Sequence, residues 1–280
     1  MLKKRYRSAK QVDGVIDLER LRSGPAKCIE RDPARFFDLT YPSEDLRGML
    51  QALGRRFSTA EDKGAGLFLA EAVKGLGKSH ALLTAYHLFA NPEQAKRWMA
   101  QHGYAWSPPN DPILIIKKFT DQYLPFDSLW TAIDQETGAR WSSQHPPSLD
   151  ELRDSLSGQH LVLIFDELER GISNIADPAR RSQNLSFLQM LSEEASRSDR
   201  VTLFAAIYDG TVEPGATLKR VPRVELRFRK PEDRAAIVRH RLFSDAGTYD
   251  RSAADALIRS YINSWSRLGV ATTDDQLARL

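Results

Sequence analysis

The sequence predicts an α/β fold built on a mainly parallel sheet, and three observations carry that expectation. Short apolar runs alternate with amphipathic stretches along most of the chain. One such run, LFLAEA (67–72), feeds into a turn containing glycines and then into the helical stretch KSHALLTAYHLF. Another run, HLVLIFDE (160–167), ends abruptly in two acids, as expected where a buried strand delivers carboxylates to the C-terminal edge of a sheet.

Taken in order, residues 1–35 show little periodicity and read as an N-terminal arm. FFDLTYPSEDLRGMLQALGRRF (36–57) reads as a turn and then a helix. Ser43 suits its N-cap, and Leu46, Met49, Leu50 and Leu53 recur at helical spacing. TAEDKGAG (59–66) is a loop. The first strand (67–72) is short and wholly apolar up to its end, the pattern of a strand buried on both faces. A helix follows over 78–89, Asn91-Pro92 ends it, and a further helix runs to about Gln101. PILIIKKF (112–119) is the second strand. PFDSLWTAI (125–133) and LDELRDSL (149–156) read as helices joined by QETGARWSSQHPP. The third strand is 160–167, then a helix over 180–197, a fourth strand at 201–209 and a fifth at 221–228. A helix over 230–243 has proline at its start, and one more spans 251–268. The expected organisation is an arm (1–35), a core (36–230) and a small helical lid (231–280).

Composition bounds the function. The 280 residues are 41% hydrophobic and 28% charged, ordinary for a soluble globular protein. No apolar run is long enough to span a membrane, and the basic start MLKKRYRSAK lacks the apolar stretch of a signal peptide. Cys28 is the only cysteine, which rules out an intramolecular disulfide and makes the cytoplasm the expected compartment. Net charge is +3, with basic clusters at 1–10 and 219–241. Such clusters can meet nucleic acid, and the plainer alternative is a basic tail and a solvated face.

The turn after the first strand reads Lys74-Gly75-Leu76-Gly77-Lys78-Ser79-His80. Glycines there let the backbone curl so that several N–H groups point inward at phosphate oxygens. The helix starting near Lys78 adds the positive end of its dipole. Lys78 is placed to reach the β- and γ-phosphates of ATP, and the Ser79 hydroxyl to ligate Mg²⁺. The usual spacing asks for glycine at position 72, where this chain has alanine. Alanine fits if φ is negative and strains the chain if φ is positive. His80 either completes the loop or packs in the first helical turn. The partner of the loop is the third strand. Asp166 at its end would hold Mg²⁺, and Glu167 would polarise the attacking water. A strand that simply ends in surface acids is the alternative.

AVKGLGKS, LVLIFDE, VTLFAAIYDG and VPRVELRFRKPEDRAAIVRHRL, in that order, resemble the motif set of AAA+ ATPases. The resemblance implies a fourth strand lying between the strands of the first two motifs. It implies a polar sensor at the end of that strand, here Asp209 or, failing that, Tyr208, where Asn or Thr is usual. It implies an arginine finger before the fifth strand, Arg220 or Arg223, reaching the nucleotide of a neighbour in a homo-oligomer; plain surface basicity is the alternative. No sensor arginine stands out in the lid. DPARFFDLTYPSEDLRGMLQAL, the loop and LLTAYHLF (about residues 30–90) resemble large prokaryotic ATP-binding proteins of phage-defence islands, the BREX-type ATPases and relatives found beside DNA methyltransferases. That likeness implies antiviral defence, with DNA or DNA-modifying proteins as partners. Those relatives are often much longer, so the chain is either a piece of a longer protein or a stand-alone ATPase core; a lid barely complete at Leu280 favours the piece.

The leading expectation is therefore a Mg²⁺-dependent ATPase. A nucleotide-binding scaffold with little turnover is the alternative, since position 72 and the sensor both depart from the usual pattern. Acids after the third strand favour water over a hydroxyl acceptor, against a small-molecule phosphotransferase. A GTPase would need an Asn-Lys-x-Asp motif, which is lacking, and no serine sits on a nucleophile elbow. His87 and His240 have no neighbours at metal spacing.

Overall fold

The computed structural model describes residues 16–58, 63–119 and 128–242, with the single positions 256, 259 and 260. The basic stretch 1–10, the first residues of 125–133 and nearly all of the expected helix at 251–268 lie outside the described residues.

Five strands form one sheet among the described residues: β1 (Leu67–Glu71), β2 (Ile113–Lys118), β3 (Leu161–Asp166), β4 (Val201–Ile207) and β5 (Val224–Leu226). Every pairing is parallel, and the spatial order is β2-β3-β4-β1-β5. β4 therefore lies between β1 and β3. Parallel neighbours need crossovers, and the helices supply them on both faces.

The pleat sorts the apolar side chains into two cores. Phe68, Ala70, Val162, Ile164, Phe204 and Ala206 face one layer of helices. That layer holds α1 (Arg20–Ser23), α2 (Pro33–Leu39), α3 (Glu44–Arg56), α4 (Lys78–Ala90) and α5 (Pro92–Gln101). Leu67, Leu69, Leu163, Phe165, Leu203 and Ile207 face the other. There lie α6 (Leu129–Thr137), α7 (Leu149–Ser155), α8 (Leu168–Ser173), α9 (Pro178–Arg197) and α10 (Gly215–Leu218). The result is a three-layer α/β core with a parallel sheet in the middle. α11 (Pro231–Leu242) follows β5.

Local chemistry sets the helix ends. The Ser43 side chain accepts from Leu46 N, as its cap position predicts. Asp177 accepts from the N–H groups of Ala179 and Arg180, with Pro178 at the first position of α9. Ser148 and Glu151 form a reciprocal capping box on α7. β5 is shorter than the run 221–228 suggests. The Asp45 carboxylate takes the N–H of Arg227 at 2.8 Å and of Phe228 at 3.0 Å, which removes both from the ladder. Part of the stretch read as an arm is packed: Leu18 and Ile29 join the first core, and Glu30 is fully buried.

Candidate phosphate-binding and metal site

β1 delivers the loop. Glu71 ends the strand and Ala72 is buried directly after it. Ala72 is not among the residues with positive φ, so alanine stands there without backbone strain. The curl comes from Gly75 (φ 86°) and Gly77 (φ 106°), conformations that glycine alone adopts freely. Gly77 is the N-cap of α4 and offers no side chain to the first N–H groups of that helix, so those donors remain for a ligand. The Phe228 ring lies 3.8 Å from where a Cβ on Gly77 would stand, so the loop is also backed from the β5 side.

Lys78 folds back over the loop. Its Nζ donates to the carbonyls of Ala72 at 2.6 Å and Val73 at 3.1 Å, and lies 5.9 Å from the Tyr208 ring centre. Burial lowers its pKa; Asp166, Glu169, Glu167 and Asp209, in that order, pull it back up. The lysine thus sits in the field of four acids, including the expected sensor Asp209, which is exposed just after β4.

The serine and the strand-end aspartate meet directly. Ser79 Oγ donates to Asp166 Oδ2 at 2.8 Å, although the residues are 87 apart in sequence. Asp166 is only 1% exposed. Burial raises its pKa, the Ser79 bond lowers it, and neighbouring Glu167 raises it again. A buried carboxylate held above its ordinary range is a site that a cation would relieve. Its donors are all oxygen, which suits Mg²⁺, and a Mg²⁺ ion takes few protein ligands because substrate phosphates and water complete its shell. No group of three or more His, Cys, Asp or Glu able to hold a metal occurs among the described residues.

Glu167 has φ 55° and ψ 39°, left-handed for a residue with a side chain, and forms the N-cap of α8. Such a conformation costs about 1–3 kcal/mol and persists only where the surroundings impose it. Its Oε2 lies 3.3 Å from Arg170 Nη1, and its N–H bonds to Asp166 Oδ1 at 3.1 Å.

Other expected residues lie differently. His80 makes its contacts with Thr40, Arg241 and the Phe36 ring, not with the loop. Arg220 is exposed and donates to Gln189 at 3.0 Å. Arg223 is half-buried and paired with Glu225 at 2.5 Å. Glu169, three residues past Asp166, stands half-buried in the field of Lys78, with its pKa raised by burial and by Glu167. Two further residues join the site that motif spacing does not reveal. Lys118 is in register with Asp166 on the adjacent strand and pairs with Asp17 at 2.8 Å. Phe228 (φ 52°) backs the loop. Only the β2–β3 register could have pointed to Lys118, and nothing in the sequence marks Phe228.

Four of the nine cations in the basic cluster at 219–241 are paired locally. Lys219 pairs with Glu71, Arg223 and Arg227 with Glu225, and Lys230 with Glu44. No helix among the described residues is long and apolar enough to cross a membrane.

The family model described as the DUF499 N-terminal domain matches residues 7–103, less than half of the chain. None of the curated proteins matches the sequence. Among solved structures, the chain is similar to the ORC2 protein of Aeropyrum pernix, described in ADPNP–ADP complexes, at 18% identity and a TM-score of 0.42. The match covers 75% of this chain and 56% of that one, so the chain spans little more than half the length of the protein it resembles.

Proposed function

We propose that the chain is a Mg²⁺-dependent ATPase of the AAA+ type, with residues 36–230 as its core and 231–280 as its lid. The observation that carries this reading is the 2.8 Å bond between Ser79 and the buried Asp166, at the mouth of a glycine loop that ends one strand and opens α4. Lys74, Gly75, Leu76, Gly77 and Lys78 would cradle the phosphates. Ser79 and Asp166 would hold Mg²⁺, which supplies neutralisation of charge on the phosphate oxygens when bound. Lys78 would leave its loop carbonyls for the stronger acceptors of the β- and γ-phosphates. Glu167 would accept a proton from the attacking water, beside a metal-holding carboxylate that keeps its own orientation through Ser79. Asp209 stands in the field of Lys78 and would sense the γ-phosphate.

The test is steady-state turnover in Glu167→Gln, which keeps the shape and removes the base. ATP still binds, and turnover falls by about two to four orders of magnitude. Unchanged turnover would remove Glu167 from the mechanism. The second reading, a nucleotide-binding scaffold, is favoured by the acid at position 209, because a carboxylate meets γ-phosphate with like charge. Tight ATP binding by the wild-type chain without turnover would select it. A role beside DNA or in phage defence is a further proposal. It rests on the resemblance of residues 30–90 to defence-island proteins and on the basic cluster at 219–241, of whose nine cations four pair with carboxylates.

A further inference from the structure

His80 follows Ser79 directly, yet its ring is engaged by two other elements. Arg241 Nη2 lies 3.3 Å from His80 Nδ1. A guanidinium can only donate, so Nδ1 carries a lone pair. The proton of the neutral ring is then on Nε2, 3.1 Å from Thr40 Oγ1. Thr40 accepts it because its own hydroxyl proton goes to Phe36 O at 2.8 Å. The chain Arg241 to His80 to Thr40 to Phe36 has one consistent polarity, running from α11 through the first turn of α4 to α2. The ring also packs on Phe36, with centres 4.9 Å apart, and Thr40 is fully buried.

α11 has other ties to the same N-terminal segment. His240 Nε2 lies 3.0 Å from Asp38 O, the Tyr41 and His240 rings are 5.8 Å apart, and Asp233 accepts from Glu44 N at 2.8 Å. The His80 contact differs from these because it reaches α4 one residue from the serine of the candidate metal site.

We propose that His80 is a positioning residue that couples the phosphate loop to α11: a shift of Ser79 moves the His80 ring, and the ring sets how tightly α11 is held. The inference rests on the nucleotide reading of the loop. The Arg241 bond is already at the long end of hydrogen-bond geometry, so a displacement of a few tenths of an ångström at the start of α4 breaks it. The ring cannot compensate by turning, since both nitrogens are engaged and one side packs against the tilted Phe36 ring.

The experiment is hydrogen exchange of the α11 amides in the full chain, with and without MgATP, in wild type, His80→Phe and Thr40→Val. Phenylalanine keeps the packing on Phe36 and removes both bonds. Valine removes the acceptor and touches neither the loop nor α11. In wild type, ATP changes exchange in α11. In both variants basal exchange there rises roughly fivefold, the effect of one net hydrogen bond, and the response to ATP is lost. Thr40→Val retains wild-type ATP affinity. A full α11 response to ATP in Thr40→Val and His80→Phe overturns the coupling while leaving the nucleotide site intact. A wild-type chain that binds no ATP overturns the nucleotide reading, and the coupling falls with it.

Discussion

Asp166 shows most plainly how a single buried residue bears on stability. Its pKa is raised by burial, so the folded chain holds a proton on it more tightly than the unfolded chain does. Stability from this group is therefore greatest at low pH and is lost as pH rises through the ordinary carboxylate range and up to the folded value. At neutral pH the ionised group opposes folding in the absence of a cation. Asp166→Asn is expected to raise the melting temperature of the metal-free protein, by about 2–4 °C for each kcal/mol relieved, and to abolish stabilisation by MgATP. A lowered melting temperature at pH 7, measured by scanning calorimetry, would show that the carboxylate is structural. The contact between Ser79 and Asp166 in the candidate site was legible in the sequence because the loop and the acids are contiguous motifs. Lys118 and Phe228 were not, because each reaches the site through a tertiary contact with another strand or loop. Position 72 was open for the same reason: its φ is a property of the fold.

The elements follow the apolar runs where burial is two-sided. β3 and β4 are wholly buried, and both were readable from uninterrupted aliphatic and aromatic residues. β5 is a poorer case, an edge strand whose length is fixed by Asp45 on a distant helix. The packing of residues 16–35 was hidden because its buried side chains, such as Leu18 and Ile29, follow no helical or strand period. Short α8 and α10 carry too few residues for a period to register. The opposite end of the sheet from the loop is pinned by Arg56. Its Nη2 donates to Ser198 O at 2.6 Å and Val201 O at 2.5 Å, and its Nε to Thr202 Oγ1 at 3.0 Å. Gly66, just before β1, makes room for it. A Cβ there would stand 2.2 Å from Ala195 O and 2.4 Å from the Arg56 guanidinium carbon. Gly66→Ala should therefore destabilise the fold by about 1–3 kcal/mol, read by urea denaturation, without touching the loop. Wild-type stability would mean that the Arg56 anchor is looser than its bonds indicate.

At the scale of the whole molecule, we propose that a neighbouring copy of the chain would complete the ATPase. Arg220 is the better finger of the two candidates, since it is exposed while Arg223 is paired with Glu225. Arg220→Ala should reduce turnover and leave ATP binding near wild type. Mixing it with Lys78→Ala subunits should restore part of the activity, because each variant supplies what the other lacks at a shared interface. Absence of rescue at every mixing ratio, with both variants folded, would argue for a self-contained site. The central claim is that the turn at Gly75–Ser79 binds ATP despite alanine at position 72. Equilibrium titration of ATP in the presence of Mg²⁺ tests it most directly, with wild type, Lys78→Ala and Ala72→Gly side by side. The account predicts saturable binding by wild type, nearly unchanged binding by Ala72→Gly, and a loss of roughly a hundredfold or more in Lys78→Ala, where charge-assisted bonds to phosphate are removed. Equal affinity in wild type and Lys78→Ala, or no binding by the folded wild-type chain, would contradict it.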